Sequence, residues 1–175
     1  MQETPQQYTA RILGYVEGKN PLQIERSTPR KLAAIVSRLS RKQLMQRPAP
    51  DRWSIAEILA HLADAELVRG WRMRLVIAEN GATIQAFDQD VWARIFDYRR
   101  RDPRISLEMF RVLRESNLAL LKSLPKKLWE NYGLHQERGK ESLTRIVQMF
   151  AGHDLNHLRQ VEEIAGQARK AKKRA

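Results

Sequence analysis

Gly152-His153-Asp154-Leu155-Asn156-His157, inside the run Ser142–Ala168, is the stretch whose reading decides the fold. Taken as a helix, the run places Leu143, Ile146, Val147, Phe150, Val161 and Ile164 at three- and four-residue steps, which makes one apolar stripe. His153 and His157 fall on or beside that stripe. Side chains four apart on a helix are neighbours, so the two imidazoles can converge on one point. Histidine is the commonest metal ligand among side chains, and an inward-facing i, i+4 pair is a ready chelate. Two core histidines can also simply hydrogen-bond to one another or to buried water. A third histidine elsewhere bears on which reading holds.

Upstream, Trp53-Ser54-Ile55-Ala56-Glu57 opens a second long helix, because Ser54 followed three residues later by Glu57 is a capping box. Ile55, Ile58, Leu59, Leu62, Ala63, Val68 and Leu75 spread around much of its circumference, as in a helix buried on several sides. His61 lies on this helix, with Glu57 and Asp64 flanking its face. Asn80-Gly81 closes the helix with a left-handed cap. Asp88 caps a short helix carrying Val91, Trp92, Ile95, Phe96 and Tyr98. Asp102-Pro103 opens the next, with Leu107, Phe110, Val112, Leu113, Leu118, Leu121 and Leu124 as its apolar set, and Pro125 stops it. Residues 125–141, with Gly133-Leu134-His135 and Gly139, read as loop with one helical turn.

At the start of the chain, Gln6–Glu17 forms a short amphipathic helix that Gly18-Lys19-Asn20-Pro21 ends. Thr28-Pro29 then reads as a helix start, followed by Leu32, Ile35, Val36 and Leu39 on one face. Arg47-Pro48-Ala49-Pro50-Asp51 is a break. No alternating strand pattern of useful length and no internal repeat appear. Four long helices with short helices in the connections predict an all-α four-helix bundle, whose core is where facing helices place inward ligands. His61 comes within reach of His153 and His157 if their helices are neighbours.

A chain of 175 residues suits one domain with a sizeable core, read here as residues 1–166 followed by a basic, frayed or disordered tail at 167–175. Hydrophobic residues make up 42%, and no segment has the apolar length to span a membrane. The opening Met1-Gln2-Glu3-Thr4-Pro5 has neither a basic nor an apolar signal region, so a cytoplasmic protein is expected. The absence of cysteine removes disulfides, thiolate metal sites and a protein-borne thiol nucleophile. The net charge of +12 invites a nucleic-acid reading, but its distribution weakens it. Arg169, Lys170, Lys172, Lys173 and Arg174 sit in the tail; Arg99-Arg100-Arg101 and Arg104 bracket an Asp-Pro junction. No zinc finger, basic zipper or RNA-binding signature is present, so a specific nucleic-acid partner is not expected.

These pieces together resemble the DinB/YfiT-like superfamily of metal-dependent four-helix bundles, named partly after a DNA-damage-inducible gene product. The matching features are Trp53-Ser54 leading into Glu57, His61-Leu62 and Asp64; the Asp88…Trp92 helix; Gly133-Leu134-His135 with Gly139; and Gly152-His153 through His157-Leu158. They run from about residue 28 to 165. The family's metal is held by one histidine on the second helix and two, four apart, on the last. By position these are His61, His153 and His157, so the resemblance implies a three-histidine divalent site. Three protein ligands leave positions for water or substrate, as catalytic sites do. Imidazole suits zinc, nickel, iron and copper; zinc or nickel is the expected ion. Asp154, Asn156, Glu57 or Asp64 could orient an imidazole. His135 is not a ligand in the family, and a turn or capping role is expected for it.

The functional expectation is a metal-dependent hydrolase or a thiol S-transferase acting on a small molecule. Some members of the family are thiol S-transferases, and a small thiol cosubstrate would fit a chain without cysteine. No catalytic residue is assigned, since neither His-Glu-x-x-His nor Glu-x-x-His occurs. The alternative is a non-catalytic stress-response or DNA-damage-associated binding protein with a structural metal and a basic surface. A bundle with polar core histidines and no metal is the third. A homodimer is the expected assembly.

Overall fold

The computed structural model describes residues 3–174, with side chains through Lys170. Helix α1 (Pro5–Gly14) is capped by Thr4 and α2 (Pro21–Val36) by Asn20, whose side chain accepts the Gln23 N–H. A short α3 (Arg41–Met45) precedes the break at Arg47-Pro48. Ser54 and Glu57 form the capping box that starts α4 (Ile55–Ala78), which is buried almost all round over its first three turns. Then come α5 (Gln89–Ile95), α6 (Pro103–Ser123) and α7 (Leu143–Arg174). The sequence reading of residues 167–175 as a frayed tail meets a helix that continues to Arg174. The side chains beyond Lys170 lie outside the described residues.

Helices α2, α4, α6 and α7 are the four of the bundle, and their order around it is not their order along the chain. Each of α2 and α4 packs against both α6 and α7, so α2 and α4 face each other across one diagonal. Joining helices across a diagonal needs more chain than a tight turn supplies. The α2–α4 connection is the α3 segment, and the α6–α7 connection carries a 3-10 turn (Lys126–Glu130) and a hairpin.

Helix α2 begins one turn and more before the Thr28-Pro29 start expected from sequence. Asn20-Pro21 is the true cap, and Pro29 sits inside the helix. Proline lacks the N–H that the Glu25 carbonyl would otherwise receive. That carbonyl instead accepts a hydrogen bond from Arg114 Nη1 on α6, at 3.0 Å. A tertiary contact thus satisfies the group the proline orphans, which local sequence rules could not anticipate.

The reading of 125–141 as loop is also corrected. Strand β1 (Ala82–Ile84) pairs in parallel with β2 (Tyr132–His135), which pairs antiparallel with β3 (Gly139–Ser142). Strands of three and four residues are too short for alternation to register. Gly133 permits this sheet: a Cβ there would lie 2.5 Å from Ile84 Cδ1 and 2.9 Å from the Ala82 carbonyl.

Two apolar clusters fill the bundle. One holds Leu32, Leu59, Phe110 and Val161; the other holds Met73, Val76, Leu121 and Ile146. Between them lies a buried layer of charge. Arg114 bridges Asp154 (Nη2–Oδ1, 3.0 Å) and Glu66 (2.9 Å), while Arg69 pairs with Glu66 (3.0 Å) and Glu25 (2.7 Å). Burial opposes the Arg114 charge, but Asp154 and Glu66 outweigh it and hold the guanidinium well above its usual range. Burial pushes Glu25 up to about 7 against the pull of Arg69, and its Oε1 has no partner.

Candidate metal centre

Helices α4 and α7 are neighbours, and that adjacency brings the three histidines together. His61 Nε2 lies 2.9 Å from His153 Nε2, which lies 3.1 Å from His157 Nε2. The ring centroids of His61 and His157 are 4.9 Å apart. Ligand nitrogens about 2.0–2.1 Å from a shared zinc ion would stand roughly 2.9–3.4 Å from each other, between right-angled and tetrahedral arrangements. The observed spacings fall in that span. A donor set of three imidazoles with convergent Nε2 atoms therefore fits a divalent cation.

The protonation states fit as well. A histidine can ligate only through an unprotonated nitrogen. Burial, then repulsion from His157, holds His61 well below its usual pKa; burial, then His157, His61 and Arg114, does the same to His153. Burial brings His157 down to about 4 despite the opposing effect of Gln160. All three rings are thus neutral at pH 7.

Gln160 is a residue that sequence reasoning missed. Its Oε1 lies 2.9 Å from His157 Nδ1, one helical turn on. An amide oxygen there accepts the Nδ1 proton and leaves the Nε2 lone pair facing the centre. The i, i+3 spacing was visible, but glutamine at that spacing is too common on helices to signal anything. Trp53 packs against the buried His61 ring, with ring centroids 5.1 Å apart. The His61 Nδ1 is buried without a partner.

The acids flanking the histidines in sequence do not orient them. Asp154 is committed to Arg114, Asp64 to Tyr98 and Arg101 (each 2.8 Å), and Glu57 to Ser54 and Arg47. Asn156 accepts from Arg11 at 3.1 Å. His135 stands apart from the other three histidines: its Nδ1 accepts the Glu137 N–H at 3.2 Å in the β2–β3 turn, the turn role expected of it.

His61 and His153 line a cavity of about 590 Å³, a size that admits a small organic molecule. Its walls combine Phe87, Met149 and Phe150 with Tyr8, Arg72 and Arg138. Helix α1 supplies part of that wall and is seated by Gly152, where a Cβ would fall 2.1 Å from the Ile12 carbonyl oxygen. This close approach explains the glycine immediately before His153.

A model of the DinB superfamily matches residues 23–161. A protein of Oceanobacillus iheyensis, provisionally named a metal-dependent hydrolase, is 28% identical over 136 residues, covering 78% of each chain. YfiT of Bacillus subtilis, provisionally named likewise, is 24% identical over 146 residues and 82% of each chain. The solved structure of YfiT superposes with a TM-score of 0.79 at 22% identity over 85% of each chain, and is described as an unusual four-helix bundle topology. With most of its length matched, and with the bundle described above, the chain belongs to the DinB superfamily.

Proposed function

We propose that this protein is a divalent-metal enzyme acting on a small molecule, with His61, His153 and His157 as the ligands. The observation that carries this reading is the convergence of three neutral Nε2 atoms, two of whose rings, His61 and His153, line a cavity of about 590 Å³. A structural site closes all coordination positions with protein atoms, whereas three ligands beside open space leave room for a reactant. When bound there, a divalent ion supplies Lewis acidity and brings the pKa of water toward neutrality. The chain's own contribution is to hold the three rings together, with the His157 tautomer set by Gln160, and to enclose the reactant between α1, α4 and α7. Among the described residues no cysteine or serine lines the cavity, and water or a small cosubstrate thiol serves as nucleophile in this reading. Hydrolysis is the reading favoured by the names of the relatives. Thiol S-transfer fits the apolar wall of Phe87, Met149 and Phe150, which suits an uncharged electrophile.

The basic cluster gives a nucleic-acid reading little support. Arg101 is paired with Asp64 at 2.8 Å, Arg100 with Asp97 at 3.2 Å, and Arg99 lies 3.7 Å from Glu57. The deciding experiment is elemental analysis of tag-free protein beside His153→Ala, followed by assays with chromogenic esters and with a bimane electrophile plus small thiols. Stoichiometric zinc or nickel in the parent, its loss in the variant, and turnover abolished by chelator and restored by metal are expected. Equal metal content in the two proteins would sink the proposal.

A further inference from the structure

Arg72 stands out among the buried charges because no carboxylate pairs with it directly. The residue is 6% exposed, yet among the described residues it makes no ion pair. One guanidinium nitrogen, Nη2, donates to the Gln85 carbonyl, and the group lies over the Phe87 ring, 5.6 Å from its centroid. The other buried arginines, Arg69 and Arg114, each hold two carboxylates. A guanidinium out of water without a carboxylate is costly unless a ligand supplies the anion. Burial, reinforced by the nearby Arg138 and partly offset by Glu141 and Glu137, pushes Arg72 down to about 10, so it remains charged at neutral pH.

His135 faces the same cavity. Because its Nδ1 accepts the Glu137 N–H, the neutral ring carries its proton on Nε2, and that atom is buried with no partner. An orphaned donor of this kind marks the place of a missing acceptor. Arg138, by contrast, is held by Glu141 at 2.8 Å and 3.0 Å. Arg72 lies on the His61 face of α4, eleven residues on, since that step is close to three full turns, ~16 Å of rise. The cavity therefore combines the unpaired donors of Arg72 and His135 with a histidine floor, with Phe87, Met149 and Phe150 also on its wall and the carboxylates of Glu3 and Glu137 among its lining.

We infer that Arg72 and the His135 Nε2–H form an oxyanion subsite, and that the substrate is an elongated small molecule with a carboxylate at one end and an apolar body. This rests on the proposed metal enzyme for which bond reacts, but the anion preference does not depend on it. The planar fork of arginine holds a carboxylate through two N–H groups, and the imidazole supplies a third donor.

The test uses 3-phenylpropionate and its uncharged counterpart 3-phenylpropionamide, titrated calorimetrically into zinc-treated full-length protein, Arg72→Gln and His135→Gln, with zinc content measured on each. The parent should bind the carboxylate at least about ten-fold more tightly than the amide, as charge-assisted hydrogen bonds of this kind do. Arg72→Gln should erase that preference at unchanged zinc content, and His135→Gln should reduce it several-fold. Equal binding of the two probes by the parent overturns the inference without any variant having to fold. A preference that survives Arg72→Gln overturns it too, since the zinc ion would then be holding the carboxylate. Protein that retains no zinc yet prefers the carboxylate would sink the metal reading and leave the subsite standing.

Discussion

His157 and Gln160 illustrate how one side chain prepares another. By holding the Nδ1 proton, Gln160 keeps the His157 ring oriented with its Nε2 toward His153. Gln160→Leu should weaken metal binding on the order of 10–100-fold, read by competition with a chromophoric chelator, while the fold persists. The histidines also set a pH dependence. Folding lowers the His157 pKa from 6.5 to about 4, so across that interval the unfolded chain binds more protons than the folded one. Stability rises with pH through this window: it is fully present above about 6.5 and lost progressively toward pH 4. Urea midpoints measured from pH 4 to 8 should show this slope, and replacing His157 should make it shallower, with His61 and His153 still contributing. Gln160 and the pairing of each acid were not legible in the sequence, because a carboxylate beside a histidine in the chain can point anywhere on the helix. Asp154, next to His153, turns instead to Arg114.

At the scale of elements, helix α1 and the charged layer carry the clearest consequences. Gly152→Ala would drive a methyl group into the Ile12 backbone, whose carbonyl oxygen would be 2.1 Å away. Relief requires α1 to move off α7, and overpacking of this kind costs about 1–3 kcal/mol. Because α1 carries Tyr8 and Pro5 into the cavity wall, the same change should raise protease sensitivity near the N-terminus and weaken ligand binding. In the charged layer, Arg114→Met would strand Asp154 and leave Glu66 with Arg69 as its one remaining arginine. Breaking a buried pair from one side costs about 3–5 kcal/mol, so chemical denaturation should find the variant severely destabilised. Long periodic helices and their caps at Ser54, Asp88 and Asp102 were legible from local pattern alone. The start of α2 was not, since Pro29 is accommodated by an arginine from another helix.

For the whole molecule, metal and fold should be linked. An ion that binds the folded chain and not the unfolded one stabilises it by about 2.7 kcal/mol at a hundred-fold excess over its dissociation constant. The melting temperature should therefore climb with free zinc in the parent and stay flat in His61→Ala; a flat response in both would leave only a helical scaffold. Apolar side chains stay open on α4 and α5, with Trp71 at 64% and Ile95 at 66% exposure. The four long helices, the caps at Ser54, Asp88 and Asp102 and the pair His153 and His157 were legible in the sequence, because periodicity and capping are written within a few residues of where they act. Which helices touch was decided only in the tertiary structure. Each long helix presents apolar residues to whatever lies beside it, so hydrophobic pattern alone is equally satisfied by several circular orders. The diagonal crossings made through α3 and the β2–β3 hairpin select the order that sets His61 against His153 and leaves Arg72 and His135 facing one cavity.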